Sequence, residues 1–328
     1  MTMSNDFLQL SLMPMLIGTF ACVACALLGN FLVLRRQSLI GDAVAHVALP
    51  GIVGAFLLTG TLAAGPMMAG AAIAAIVAVA LIELIRRVGK VEPGAAMGVV
   101  FTTLFAAGVL LLEQTDTSKV HIDVEHALYG NLESLIWLAG RDWSSLLDPQ
   151  ALASVPPQLP RLAMVLLAVA GFITAFWKEL VIGTFDAAFA QSVGARPGIV
   201  SFDKIDMVEV SAVAAFSEVG YIIVIAKFIC PPAAARLMTD RMGPQIAWSV
   251  VFAVLSAVLG YILAGYGPMW FGGRDSVSAA GMIATVSGVI LAIACLAGPK
   301  RYGVKVAARR RSRSILSEDD SPQPATHR

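Results

Sequence analysis

Residues 41–51 read Gly-Asp-Ala-Val-Ala-His-Val-Ala-Leu-Pro-Gly and lie at the start of an apolar run that extends to residue 60. An ionisable side chain inside hydrocarbon costs about 2.5–3.5 kcal/mol on insertion scales, so it is seldom there without a role. At a spacing of i and i+4, Asp42 and His46 project from the same face of a helix. A carboxylate and an imidazole form a ligand pair for a divalent transition metal. The stretch therefore predicts a membrane helix that carries a metal site. The alternative is an ion pair or hydrogen-bonded pair that stabilises helix packing.

The composition of the whole chain agrees with a membrane setting. Apolar residues make up 58% of the 328 residues and charged residues only 14%, whereas a soluble domain carries about 25% charged residues. The net charge of +1 gives no indication of a nucleic-acid partner. The four cysteines lie in apolar runs and are interpreted as small packing residues.

Apolar stretches long enough to span a bilayer recur along the chain. They are expected near 13–34, 42–60, 66–85, 94–112, 161–177, 246–266 and 277–297, with an ambiguous region at 206–231. Small residues fill several of them and allow close helix approach. The sequence thus predicts an all-α polytopic membrane helix bundle of eight to nine transmembrane segments.

The positions of lysine and arginine predict the orientation. Arg35, Arg86 and Lys178 each follow an apolar stretch, and placing all such groups in the cytoplasm satisfies the positive-inside rule, with the N-terminus outside. Within a membrane domain at 1–300, the segment 113–160 is then an outward-facing loop.

Two connectors, 178–205 and 232–245, are expected in the cytoplasm. Too few residues separate them for two full crossings, so one helix is predicted to be broken or re-entrant, with the break near residues 217–220. Glu218 at that break is a candidate additional metal ligand or proton acceptor. Residues 301–328, basic and then acidic, are expected to form a disordered cytoplasmic tail whose basic part lies on anionic lipid.

Four stretches resemble the membrane permease subunits of bacterial ABC transporters for manganese, zinc and iron. The first is Leu27–His46, which continues into Leu49-Pro50-Gly51 and matches that family's Ser-Leu-x-Gly-Asp-Ala-x-x-His-x-x-Leu-Pro-Gly string. The other three occur in the family's order and are Asp123–Asn131, Lys178–Gly194 and Ile229–Leu237. Together the four cover the chain from about residue 14 to residue 300.

The resemblance implies a multi-pass protein of the bacterial inner membrane that transports manganese, zinc or iron and holds no permanently bound cofactor. It implies partners: cytoplasmic ABC ATPase subunits, an extracytoplasmic metal-binding protein, and a second permease copy or a sister permease. The chain has no Gly-x-x-x-x-Gly-Lys-Ser/Thr loop for ATP. We therefore expect a transport subunit rather than an enzyme, with ATP hydrolysis in separate subunits.

The Pro-led, basic segment from Pro231 to Met242 resembles the family's contact with its ATPase. Pro231 and Pro232 are expected to open a short coupling helix, with Arg236 and Arg241 at the ATPase contact. An ordinary interfacial loop is the alternative.

These expectations combine into a permease that alternates access to a transient Asp42–His46 site, which a dimer mate or Glu218 would complete. A gradient-driven secondary metal transporter or channel, with Glu218 as proton relay, is the rival. An intramembrane metalloprotease is disfavoured because the chain has no His-Glu-x-x-His motif.

Overall fold

The computed structural model describes residues 7–35, 39–61, 64–113, 132–140, 142–185, 221–270, 272 and 277–298. The regular elements of these residues are helices. The α-helices are α1 Leu12–Leu34, α2 Leu39–Thr59, α3 Ala64–Gly89, α4 Pro93–Glu113, α5 Pro149–Ala153, α6 Gln158–Ala175, α7 Trp177–Phe185, α8 Tyr221–Met238, α9 Met242–Trp270 and α10 Ala279–Ala297. A π-helical turn, Phe7–Ser11, leads into α1, and two 3₁₀ turns lie at Leu132–Ser134 and Trp143–Leu147.

Six helical stretches in the described ranges are long and apolar enough to cross a membrane. They are Phe7–Leu34, Gly65–Gly89, Gly94–Leu111, Gln158–Ala175, Met242–Trp270 and Ala279–Ala297. Helices suit this setting because all their backbone hydrogen bonds are internal. The predicted all-helical, multi-pass architecture is confirmed, whereas the number of eight to nine segments stays a prediction. The proposed break at 217–220 lies outside the described residues.

Helix α1 is the central helix of the bundle. Its most apolar window is 72% buried, against 17–33% for the other five candidate spans. It packs against α6, α8 and α9, and α10 packs on α8 and α9. Small residues, Cys22 and Cys25 among them, line the buried surface of α1. The two thiols are therefore packing residues, as the sequence predicts.

Helices α2, α3 and α4 form a second group, in which α2 packs against both of the others. Helix α8 also contacts α2 and so connects the two groups. The helix with the sequence's acid–histidine pair therefore lies between a central, deeply packed group and a peripheral pair.

Hydrogen bonds define the two ends of the bundle. At the end where α1 finishes, Arg35 Nε donates to Thr184 Oγ1 of α7 at 3.3 Å. A Cβ built on Gly298 would lie 3.2 Å from the Leu237 carbonyl, so α8 and α10 also finish together. Gln245 of α9 accepts from Arg236 near the end of α8 and donates to Asn30 near the end of α1, so the ends of α1, α7, α8 and α10 are grouped.

The opposite end holds the segment that follows α4. Trp137 N–H donates to the Gln9 carbonyl at 2.8 Å, and the buried Trp137 indole donates to the Ala151 carbonyl at 3.0 Å. Tyr261 Oη of α9 donates to the Leu10 carbonyl at 3.2 Å. Residues 132–140 and 142–153 thus cap the bundle beside the beginning of α1.

Candidate functional site

Asp42 and His46 both lie in α2. The helical rise of about 1.5 Å per residue separates them by about 6 Å along the axis, one turn. The predicted helical i, i+4 spacing is therefore confirmed. Their side chains lie outside the described part of the structure, so their role as metal ligands stays a prediction.

A close three-helix crossing holds α2 one turn beyond His46. Pro50 lies within α2, which continues through it to Thr59, so the helix does not end there. A Cβ on Gly108 of α4 would lie 2.9 Å from Pro50 Cδ. A Cβ on Gly51 would overlap the Gly70 carbonyl oxygen of α3. Glycine at these positions lets α3 and α4 approach the backbone of α2, which fixes the helix beside the acid–histidine pair.

Pro231 and Pro232 lie inside α8 and are buried, so the expectation that they open a separate short helix is wrong. Tandem prolines inside a helix deprive the carbonyls four residues earlier of their N–H donors. One of these carbonyls belongs to Phe228, and Gly29 of α1 packs directly on it: a Cβ at Gly29 would overlap the oxygen and lie 2.9 Å from the carbonyl carbon. The backbone of α1 thus covers the turn of α8 that the prolines interrupt.

The predicted coupling arginines occupy the last turn of α8 and the turn that follows. Arg236 is half-buried, and its guanidinium donates to the Asp240 carbonyl at 3.0 Å and to Gln245 Oε1 at 3.4 Å. Arg241 is exposed at the tip of the turn. The two arginines therefore differ, because one is engaged with the bundle and the other faces outward.

Gln245 connects Arg236 to buried residues in the interior of the bundle. Gln245 and Asn30 of α1 are fully buried. Gln245 Nε2 donates to Asn30 Oδ1 at 3.1 Å. Asn30 Nδ2 donates to Ser249 Oγ at 2.9 Å and to the Ala26 carbonyl at 2.7 Å. A continuous hydrogen-bonded path thus runs from the α8–α9 turn into the central helix.

A second buried polar cluster centres on Lys227 of α8, which the sequence reasoning missed. The ammonium group donates to Ser256 Oγ of α9 and Ser287 Oγ of α10, and to the Ile283 carbonyl at 3.4 Å. Lys227 and Ser256 are fully buried, and Ser287 is 2% exposed. A lysine within the apolar run at 206–231 was the signal that could have found it.

Glu218, the proposed additional ligand, lies outside the described residues. Among the side chains that the structure describes, no three His, Cys, Asp or Glu residues lie together as a group able to hold a metal. The described polar clusters are instead built from amides, hydroxyls, an ammonium and a guanidinium.

Comparison with known proteins identifies the family. The sequence profile of the ABC 3 transport family matches residues 7–137 and 150–298. The chain belongs to this family. It is thus a membrane permease subunit, a non-catalytic component of an ABC transporter.

Two relatives are similar over most of their length. The manganese transport system membrane protein MntD of Bacillus subtilis is 37% identical over 282 residues, which is 86% of this chain and 90% of the relative. The zinc transport system membrane protein TroD of Treponema pallidum is 36% identical over 289 residues, 88% of this chain and 74% of the relative. The structure of PsaBC from Streptococcus pneumoniae in complex with Fab has a similar fold. Its TM-score is 0.69 at 23% identity, over 90% of this chain and 94% of that one.

Proposed function

We propose that the protein is the permease subunit of an ATP-driven importer of a divalent transition-metal ion, manganese, zinc or iron, in the bacterial inner membrane. The observation that carries the proposal is an acid and a histidine one turn apart in α2, in a chain whose relatives belong to manganese and zinc transport systems. The metal is cargo, bound transiently during transport.

Asp42 and His46 supply one oxygen and one nitrogen ligand. Two ligands leave the coordination of a divalent metal open, which suits a carrier that must release its ion. A second permease copy about a two-fold axis would add another Asp42 and His46, and Glu218 is the other candidate ligand. Alternating access then means that the cavity holding this pair opens first to the outside and then to the cytoplasm.

Membership of this family supports a proposal for the partners. Cytoplasmic ABC ATPase subunits would supply ATP hydrolysis, and an extracytoplasmic binding protein would deliver the metal. The grouping of Arg35, Thr184 and Arg236 at one end of the bundle supports a cytoplasmic position for that end. On this orientation 178–205 and 232–245 are cytoplasmic connectors, 113–160 faces outward, and Arg236 and Arg241 serve ATPase coupling. The tail at 301–328 would be cytoplasmic.

The site is tested by metal accumulation in cells that lack their own importer. Wild type, Asp42→Ala and His46→Ala are compared at equal membrane abundance with labelled Mn²⁺ and Zn²⁺. Both variants are expected to lose most uptake. Gly54→Ala is the matched control, because it lies in the same helix and its Cβ would meet nothing within 4 Å. Wild-type uptake in both site variants would refute the assignment.

The energy source separates the proposal from the gradient-driven rival. ATP depletion is expected to abolish uptake, whereas collapse of the proton gradient at constant ATP leaves it intact. The reverse pattern, with uptake lost on Glu218→Gln, would establish the secondary transporter instead.

A further inference from the structure

A row of hydrogen bonds joins the solvent-exposed α8–α9 turn to the central helix α1. The row begins at Arg236, whose guanidinium donates to the Asp240 carbonyl at 3.0 Å and pairs with the 75% exposed Asp240 side chain at 3.6 Å. It continues from Arg236 to Gln245 at 3.4 Å and from Gln245 to Asn30 at 3.1 Å. The row thus connects a solvent-exposed charge with a fully buried amide of α1.

The two amides in this row have a fixed direction. Gln245 uses its oxygen toward Arg236 and its nitrogen toward Asn30. Asn30 in turn uses its oxygen toward Gln245 and its nitrogen toward Ser249. The guanidinium charge polarises each amide in the same sense, which strengthens the row.

The backbone of Gln245 is hydrogen-bonded to the α8–α9 turn. Its N–H donates to the Arg241 carbonyl at 3.0 Å, and Arg241 N–H donates to Thr239 Oγ1 at 3.3 Å. The side chain of Gln245 therefore binds α1 while its backbone binds the turn. If the turn moved without α1, a fully buried amide would lose a partner, which is costly away from water. The turn and α1 are therefore expected to move together.

We propose that Arg236, Gln245 and Asn30 form a relay that makes α1 move with the α8–α9 turn, and that α8 passes this movement to the helix that carries Asp42 and His46. Asn30 precedes Asp42 by twelve residues, and α8, which carries Arg236, itself contacts α2. Arg236 is thus a positioning residue that acts through Gln245, whereas the exposed Arg241 contacts the ATPase. The inference rests on the proposed function, because it requires an ATPase that moves the turn.

The relay is tested on the full permease, purified with its ATPase subunits and reconstituted in vesicles. The measured quantity is the coupling ratio, the Mn²⁺ or Zn²⁺ ions transported per ATP hydrolysed. Gln245→Leu is expected to lower this ratio by at least about tenfold, the lower end of the fold-change that corresponds to one lost hydrogen bond to a charged group. Arg236→Lys keeps the positive charge at a half-exposed position, but the lysine side chain cannot hold Asp240 and Gln245 together as the guanidinium does. This variant is therefore also expected to lower the coupling ratio.

Combination of the changes separates a relay from independent structural effects. A double variant, Arg236→Lys with Gln245→Leu, is expected to be no worse than the poorer single variant, because both break the same path. Ser256→Ala is the stability control: it removes a buried hydrogen bond from α9 outside the relay. It is expected to lower the melting temperature and leave the coupling ratio unchanged.

Three results would overturn the relay while leaving the proposed function intact: a wild-type ratio in Arg236→Lys, multiplied losses in the double variant, or an equal loss of coupling in Ser256→Ala. A wild-type complex without ATP-dependent uptake of either metal would instead overturn the proposed function and the relay together.

Discussion

Replacement of Lys227 by methionine is expected to leave the protein as stable as wild type or to make it more stable. The ammonium group is buried and donates to Ser256, Ser287 and the Ile283 carbonyl. Neither hydroxyl depends on the lysine, because Ser256 Oγ also donates to the Phe252 carbonyl at 2.7 Å and Ser287 Oγ to the Ile283 carbonyl at 2.8 Å. Lys227→Met therefore removes a buried charge without leaving an unpaired group. Exchange of a buried ion pair for packed apolar side chains is often neutral or stabilises by about 1–4 kcal/mol, and the same reasoning applies to this buried ammonium group.

Removal of a serine that accepts a hydrogen bond from Lys227 is expected to be costly. Ser256→Ala leaves the Lys227 ammonium with one acceptor fewer in a site that water does not reach. A hydrogen bond to a charged group is worth about 1.5–3 kcal/mol, so the free energy of unfolding should fall by that amount. In the Lys227→Met background the described hydrogen bonds of this serine go to carbonyls of its own helix, and its loss should cost about 0.5 kcal/mol. The two positions are therefore expected to couple by about 1–2.5 kcal/mol.

The assay is equilibrium unfolding of the purified permease in mixed micelles, with wild type, both single variants and the double variant forming one cycle. Thr285→Ala on α10 is the matched control, because its exposed hydroxyl donates to the Gly281 carbonyl of its own helix. The reasoning is refuted if Lys227→Met costs more than about 1 kcal/mol, or if Ser256→Ala costs the same with and without the lysine.

Two further predictions concern packing. Gly51→Ala should destabilise the permease by about 1–3 kcal/mol, because the new Cβ would overlap the Gly70 carbonyl. Gly54→Ala, one turn along the same helix with open space around it, should stabilise the permease by up to about 1 kcal/mol; equal thermal stability of the two variants would contradict the close crossing. Trp137→Phe should cost about 0.5–1.5 kcal/mol, because it removes the buried indole hydrogen bond to the Ala151 carbonyl, which still accepts from Ser154. Trp143→Phe, at a 59% exposed position, should leave the melting temperature unchanged, and a comparable fall in both would refute the anchoring role of Trp137.

The fold was predictable to the extent that it depends on local hydropathy. Apolar runs at 42–60 and 277–297 became helices Leu39–Thr59 and Ala279–Ala297, within three residues at each end. Lipid requires internal backbone hydrogen bonds, so a sufficiently long apolar run has one stable conformation. The acid–histidine spacing on a helix followed from the same reasoning.

The errors arose where a distant part of the chain decides the local structure. Pro231 and Pro232 are typical of a helix start, yet they lie within α8, where Gly29 packs on the carbonyl of Phe228. Gly29 is about 200 residues away in sequence, so hydropathy carries no sign of this pairing. Lys227 was missed for a related reason, since the two hydroxyls that accept its hydrogen bonds lie on other helices.

The helices within each of the two groups are held together by a different kind of contact, and this difference bears on how the permease moves. Helix α8 is joined to α9 and α10 by Lys227, and α1 to α9 by Asn30, through buried hydrogen bonds that fix the register because any slide leaves a polar group unpaired. Helix α2 meets α3 and α4 at Gly51, Gly70 and Gly108, where backbone shape decides the fit. The register of the first group is therefore the costlier to change. A change in access to Asp42 and His46 is accordingly expected to displace α2, α3 and α4 against a central group that stays intact.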